Sequence, residues 1–262
     1  MRMLERLAPV AVTVALIALW EGLVRALAVD PFVLPAPSAI GAALVASAPS
    51  LLAALLHTLT ITWIALALAL PSGVGLAFLI HRSALAEAGI LPIAVVLQAT
   101  PVVAIAPIII IWTGVDQPDR ALVVIAWIVA FFPVLSTLLS ALKAIDPALH
   151  DLFSLYGASG RARFVRLELP ASLPALVSAL KVASGLALIG AVVGEYAAGS
   201  GAAQGLAWRL IEAGNRLEIP TMFACLALLS ALGLAQYALL GGLERWVLTR
   251  RGLAASRRPA GR

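Results

Sequence analysis

The side chains that could do chemistry in this chain are few and scattered. Ser159 lies in Gly157-Ala158-Ser159-Gly160, where its hydroxyl could act as a nucleophile only with a histidine base beside it. His57, His81 and His150 all precede it, and none falls in the last two apolar runs. The histidines are isolated and no His-Glu-x-x-His pair occurs, so no metal-ligand set emerges. Cys225 stands alone and reads as a small buried residue. The 262 residues contain no Gly-x-x-x-x-Gly-Lys-Ser or Gly-Lys-Thr phosphate loop, which puts any ATP chemistry on another chain. No catalytic, cofactor-binding or metal site is expected. What remains to explain are polar or helix-breaking residues in apolar surroundings, Gln98, Thr100, Pro101, Pro107 and Glu195, and a basic island from Asp151 to Pro170.

The elements that carry these residues follow from composition. Hydrophobic residues make up 62% of the chain, above the roughly 45–50% of a soluble domain, and the mean hydropathy is +1.04. An all-α membrane protein is expected, because lipid cannot satisfy stray backbone groups and the apolar runs are too long for barrel strands. Six spans fit, at about residues 7–29, 52–80, 90–112, 121–142, 173–195 and 221–243, in one transmembrane domain covering 1–262. The second is long enough to need tilt or a bend, for which Pro71 is a ready cause. Arg2, Arg6 and Ala26-Leu27-Ala28 imitate a signal peptide, but Trp20, Glu21 and Arg25 read as the outer end of a retained helix. A short interfacial helix is expected from Ala39 to about Ser47, after Leu34-Pro35-Ala36-Pro37-Ser38.

Basic residues set the orientation. One side collects Arg2, Arg6, Arg82, Lys143, Arg161, Arg163, Arg166, Arg245 and Arg250, with the basic tail that makes up the rest of 244–262. The other side has Arg25, Arg120, Arg209 and Arg216 among five acids, and Lys181 is left inside the fifth span. Both termini and the island are therefore expected in the cytoplasm. The net charge of +5 suits an inner membrane face that meets anionic lipid, and no nucleic-acid partner is expected.

At membrane depth, polar and helix-breaking residues need a cavity or a neighbouring helix. Gln98, Thr100, Pro101 and Pro107 thus suggest a kinked third span on a translocation path, with an ordinary packed kink as the alternative. Gly185, Gly190 and Gly194 offer a small surface for subunit or helix packing, the last two in Gly-x-x-x-Gly register. Glu195 follows, either at an outer gate or reaching interfacial water. Trp112 and Trp208 read as interfacial anchors, and Thr58, Thr60 and Thr62 could bond back within their own helix.

The island itself reads as two short helices. Asp146-Pro147 starts the first and Gly157 suits its left-handed C-cap; Ser159 caps a second that runs to Leu169, where Pro170 ends it. Leu149, Leu152, Phe153, Leu155 and Tyr156 are too apolar for a solvated loop, so a partner or the membrane surface covers them, while Arg161, Arg163 and Arg166 suit lipid headgroups.

The spacing from Asp151 through Gly157 and nine further residues to Leu167-Glu168-Leu169-Pro170 resembles the EAA loop of importer-type ABC transporter permeases. Asp151-Leu152-Phe153 stands where that pattern has an acid and two alanines. The likeness extends over most of the chain and looks nearest to the nitrate, sulfonate, taurine and pyrimidine-precursor branch. It is carried by Leu34 to Ser38, Thr100-Pro101, Ala106-Pro107, Phe132-Pro133, Gly190 to Glu195 and Gly205-Leu206-Ala207-Trp208. The resemblance implies a coupling loop, residues 146–170, that sits in a cytoplasmic ABC ATPase dimer through Asp151, Leu152, Phe153, Tyr156, Gly157, Ala158, Phe164, Leu167, Leu169 and Pro170. It also implies ATP and Mg on that partner, a periplasmic or lipid-anchored substrate-binding protein, a permease homodimer, a bacterial inner-membrane location and a small organic solute or anion as cargo. The competing expectation is a six-helix intramembrane serine protease using Ser159, which lacks a histidine on its late helices.

Overall fold

The computed structural model describes residues 2–199 and 204–250, with side chains from Ala8 onward. The side chains of Arg2 and Arg6, and the tail beyond Arg250, lie outside the described residues. Every regular element among the described residues is helical: α1 (Arg2–Ala26), α2 (Pro37–Ala46), α3 (Ala48–Arg82), α4 (Ala84–Ala99), α5 (Val102–Thr113), α6 (Pro118–Lys143), α7 (Pro147–Leu155), α8 (Gly160–Ala198), α9 (Leu206–Asn215) and α10 (Ile219–Arg250). Five helices are long and apolar enough to cross a membrane, and α4 with α5 makes a sixth span if the pair is counted as one.

The chain forms two compact units. The first comprises residues 1–58 and 204–231, and its core is Ile40, Leu51, Ala54, Leu206, Ala224 and Cys225. Its joints are polar. Glu21 accepts hydrogen bonds from the Ser38 N–H and hydroxyl at 2.9 and 2.8 Å, capping α2 from a distance because Ala36 has no capping side chain. The Thr58 hydroxyl accepts the Leu206 N–H at 2.9 Å, giving the first turn of α9 the cap that Gly205 cannot supply. The sequence suggested a bond within its own helix; the Thr58 hydroxyl also serves a helix 148 residues away.

The second unit comprises 59–203 and 232–262. Its seam is α6 against α8, where Ala126, Ala130, Val134, Ala183, Ala187 and Ala191 are all fully buried. A Cβ on Gly190 would stand 2.6 Å from the Ala126 Cα, and one on Gly194 2.8 Å from a Leu122 methyl, so these glycines let two backbones approach as in other small-residue membrane interfaces. Gly185 lies outside this seam. It is exposed and a Cβ there would meet nothing within 4 Å. Inside the same unit Glu244 accepts from Lys181 at 2.7 Å and from Ser178 at 2.6 Å, tying α10 to α8 and accounting for the lysine left in the fifth span.

Two prolines part from expectation in opposite ways. The third span is not one kinked helix: α4 and α5 meet at 104°. Pro101 forces Thr100 into extended backbone (φ −72, ψ 127), and the Thr100 N–H and hydroxyl both turn back to the Val96 carbonyl, at 3.0 and 2.8 Å. Pro107 lies within α5 without breaking it. Pro170, expected to end a short helix, does not. The chain runs unbroken from Gly160 to Ala198, and a π turn at Phe164–Glu168 widens the helix just before the proline ring.

Candidate functional site

The elbow is built by local hydrogen bonds. Asp146 accepts the Ala148 N–H at 2.9 Å to start α7. At its other end Gly157 adopts φ 64, with Ala158 N–H to the Phe153 carbonyl at 2.9 Å and Gly157 N–H to the Ser154 carbonyl at 3.0 Å, the two bonds of a Schellman cap. Ser159 accepts the Ala162 N–H at 3.3 Å and so caps α8. That hydroxyl is engaged as a helix cap.

The elbow's residues divide into two sets. Leu155 and Tyr156 are 85% and 82% exposed, Leu149, Leu152 and Asp151 are also exposed, and Phe153 and Ala158 are half-buried. Of the others expected in the contact, Phe164, Leu169 and Pro170 are half-buried. Leu167 is buried, and the Phe164 ring meets Phe78 edge-on at 4.6 Å beneath the Arg82 guanidinium at 5.5 Å. Glu168 is the residue that sequence reasoning passed over. Its buried carboxylate pairs with Arg82 at 3.2 Å and with Arg163 at 3.6 Å, and Arg82 also reaches the Gly160 carbonyl at 3.5 Å. The available signal was a single acid among Arg161, Arg163 and Arg166; its partner on α3 lies 86 residues away. The elbow thus has an outward apolar tip and a base pinned to the end of α3.

The expected path residues are not gathered into one site. Gln98 lines a cavity of about 580 Å³ between α3, α4 and α6, walled by Trp127, Phe131 and Phe132. Trp127 donates its indole N–H to Ser72 at 3.0 Å, and Ser72 donates onward to the Leu68 carbonyl at 2.6 Å. Thr100 and Pro101 form the helix break, and Pro107 is exposed on α5. Glu195 is fully enclosed, so it does not reach interfacial water. Among the described residues no group of three or more metal-ligating side chains comes together.

Comparison with known proteins matches this architecture to one family. Residues 69–249, from within α3 to nearly the end of α10, match the family described as binding-protein-dependent transport system inner membrane component. A probable ABC transporter permease protein of Haemophilus influenzae is 31% identical over 231 residues, covering 88% of this chain and 92% of that one. The formylaminopyrimidine transport permease protein ThiX of Halalkalibacterium halodurans is 32% identical over 248 residues, covering 94% and 97%. A structure of the MetNI methionine ABC transporter in inward-facing conformations superposes with a TM-score of 0.68 at 19% identity, covering 77% of this chain and 97% of that one. At that identity the likeness is one of fold. The chain belongs to the binding-protein-dependent inner membrane components, the permease subunits of ABC importers.

Proposed function

We propose that this permease takes up a small organic solute or anion handed to it by a periplasmic or lipid-anchored binding protein, driven by a separate cytoplasmic ATPase dimer through the elbow. The observation that carries this is the exposure of Leu155 and Tyr156 at the tip of an elbow whose backbone ends are capped. Large apolar side chains held rigidly outward are what a partner's groove receives. Asp151, Leu152 and Phe153 complete the contact, while Phe164, Leu167, Glu168, Leu169 and Pro170 transmit its movement into α8 and α3. ATP and Mg belong to the ATPase. Nucleotide binding there draws the two elbows together, and the α6–α8 seam carries the motion into the membrane as alternation between inward-open and outward-open states.

A second copy of the chain completes the path, and both termini and the elbow face the cytoplasm, as the excess of Lys and Arg on that side supports. Arg161 and Arg166, both exposed, meet the headgroups of the inner leaflet. Gln98, Thr100 and Pro101 line the route near mid-membrane. The formylaminopyrimidine relative supports a pyrimidine-type cargo, with sulfonate, taurine and nitrate as the other members of the class.

The test is copurification with an ATPase whose turnover rises when the solute-loaded binding protein is added. Gly157→Val forces a β-branched residue to φ 64, costs about 1–2 kcal/mol locally and is expected to abolish uptake and loosen the ATPase. Full uptake by that variant would overturn the coupling assignment.

A further inference from the structure

We infer that the recess at the base of the elbow binds a phosphate group, with the guanidiniums of Arg82 and Arg163 and the imidazoles of His81 and His150 as its donors. The recess lies where the end of α3, the helix α7 and the start of α8 come together. It is lined by His81, Arg82, His150, Gly160, Arg163 and Glu168 and has a volume of about 480 Å³. That exceeds a bare phosphate and leaves room for the ester group that carries one. The site is separate from the cargo and from the exposed tip of the elbow.

The charges in the recess do not balance. Arg82 and Arg163 share the single carboxylate of Glu168, so positive charge is in excess before either histidine is counted. The carboxylate is the enclosed member, with its side chain 3% exposed, whereas the guanidinium side chains are 49% and 39% exposed. An entering group therefore meets cations. Arg82 uses one nitrogen, Nη2, for both Glu168 and the Gly160 carbonyl, and a guanidinium carries five N–H groups. The Arg163 Nε is 3.6 Å from Glu168, beyond hydrogen-bond reach, and is enclosed without a hydrogen-bond partner.

Geometry favours phosphate over a carboxylate as the anion. The donors come from three elements: His81 and Arg82 from α3, His150 from α7 and Arg163 from α8. Tetrahedral oxygens can meet donors from separate directions, while the two oxygens of a carboxylate lie in one plane and suit a single fork. The His81 and His150 rings stand 6.2 Å apart, tilted by 42°, and even a neutral imidazole brings one N–H. Gly160 opens α8, and the field at a helix N-terminus adds to the attraction. A phosphate held there would tie α7 to α3 and α8 and stiffen the elbow's base.

The test is proton–carbon correlation NMR of the full-length permease, isotopically labelled on histidine, in maltoside micelles at neutral pH. The chain has three histidines, and His57, which does not line the recess, is the internal control. Inorganic phosphate is expected to shift the His81 and His150 signals along one saturating curve and to leave His57 in place. Acetate, the planar control, should bind roughly tenfold more weakly. His150→Gln should weaken phosphate binding roughly threefold and Arg163→Gln roughly tenfold. Glu168→Gln should tighten it roughly tenfold by removing the competing carboxylate. An unchanged His57 signal shows that a variant is folded, and His150→Gln, which disturbs no ion pair, carries the test if Arg163→Gln does not fold. Phosphatidylglycerol is titrated separately: tighter binding than inorganic phosphate identifies a lipid headgroup as the occupant, and weaker binding a soluble phosphate. No saturating shift with either probe, movement of all three histidines together, an equal response to acetate, or an affinity indifferent to the substitutions would overturn the inference.

Discussion

The elbow and the broken helix both interrupt apolar helices, and they do so by opposite means. In the elbow the interruption is closed. Asp146, the Schellman cap at Gly157 and Ser159 supply local partners for the helix ends, and Glu168 holds Arg82 and Arg163 beneath it. In the α4–α5 pair the interruption is left open: Thr100 turns its N–H and hydroxyl back to α4, and Gln98, Val96 and Val103 stand exposed around the break. The closed one suits the proposed lever, because its helix ends are capped and its base is tied to α3 through Glu168 and Arg82. The open one suits a route, where side chains must be available to a passing solute.

The contrast can be broken most severely at the seam on which both regions depend. Gly190→Leu would drive a side chain into the Ala126 backbone, 2.6 Å from the position of a Cβ. It is expected to cost about 3 kcal/mol or more, seen as lost thermal stability and poor recovery of folded protein in detergent. Wild-type stability would mean that α6 and α8 do not approach this closely.

A smaller and more local effect is expected at the elbow's base. Glu168→Gln removes the buried negative charge and leaves two guanidiniums converging on a neutral amide. Removing one member of a buried pair costs about 3–5 kcal/mol; here both arginine side chains are 39–49% exposed, so solvent screening reduces the effect to about 1–2 kcal/mol. Hydrogen exchange should quicken over residues 160–170 and stay unchanged in α4 and α5. Uniform quickening would contradict the separation of the two regions.

The least effect on stability is expected at the break. Pro101→Ala restores the missing N–H and relieves the restriction on Thr100, changing stability by less than about 1 kcal/mol while straightening the bend. Spin labels on Ala99 and Val103 would report the change in angle, and an unaltered bend would assign it to packing instead of to the proline.

These regions also differ in how legible they were. The elbow's caps, its Gly157 hinge and its position between the fourth and fifth spans were readable because Asp146, Gly157 and Ser159 act on backbone groups within a few residues of themselves. Glu168 was not, because its meaning depends on Arg82, 86 positions earlier; nor was Thr58, whose partner is 148 positions later. The prolines show the limit most directly. Pro101 and Pro170 remove the same backbone donor, yet one breaks its helix and the other sits in an unbroken one. Phe164, held against Phe78 and Arg82, anchors the turn that widens ahead of Pro170, and no local pattern announces such a tertiary hold. Gly190 and Gly194 were legible by spacing alone, whereas Gly185, equally small, turned out to face no neighbour.

The central claim, that the elbow's tip is where a separate ATPase grips this permease, is tested most directly by photocrosslinking. A photoreactive phenylalanine analogue replaces Tyr156 in the complex as purified from membranes, and the same analogue at Trp112, equally exposed at 81% but at the end of α5, serves as the control. The account expects the Tyr156 probe to form a covalent adduct with the ATPase subunit and the Trp112 probe to form none. Adducts with lipid alone at Tyr156, or with the ATPase at Trp112, would contradict it.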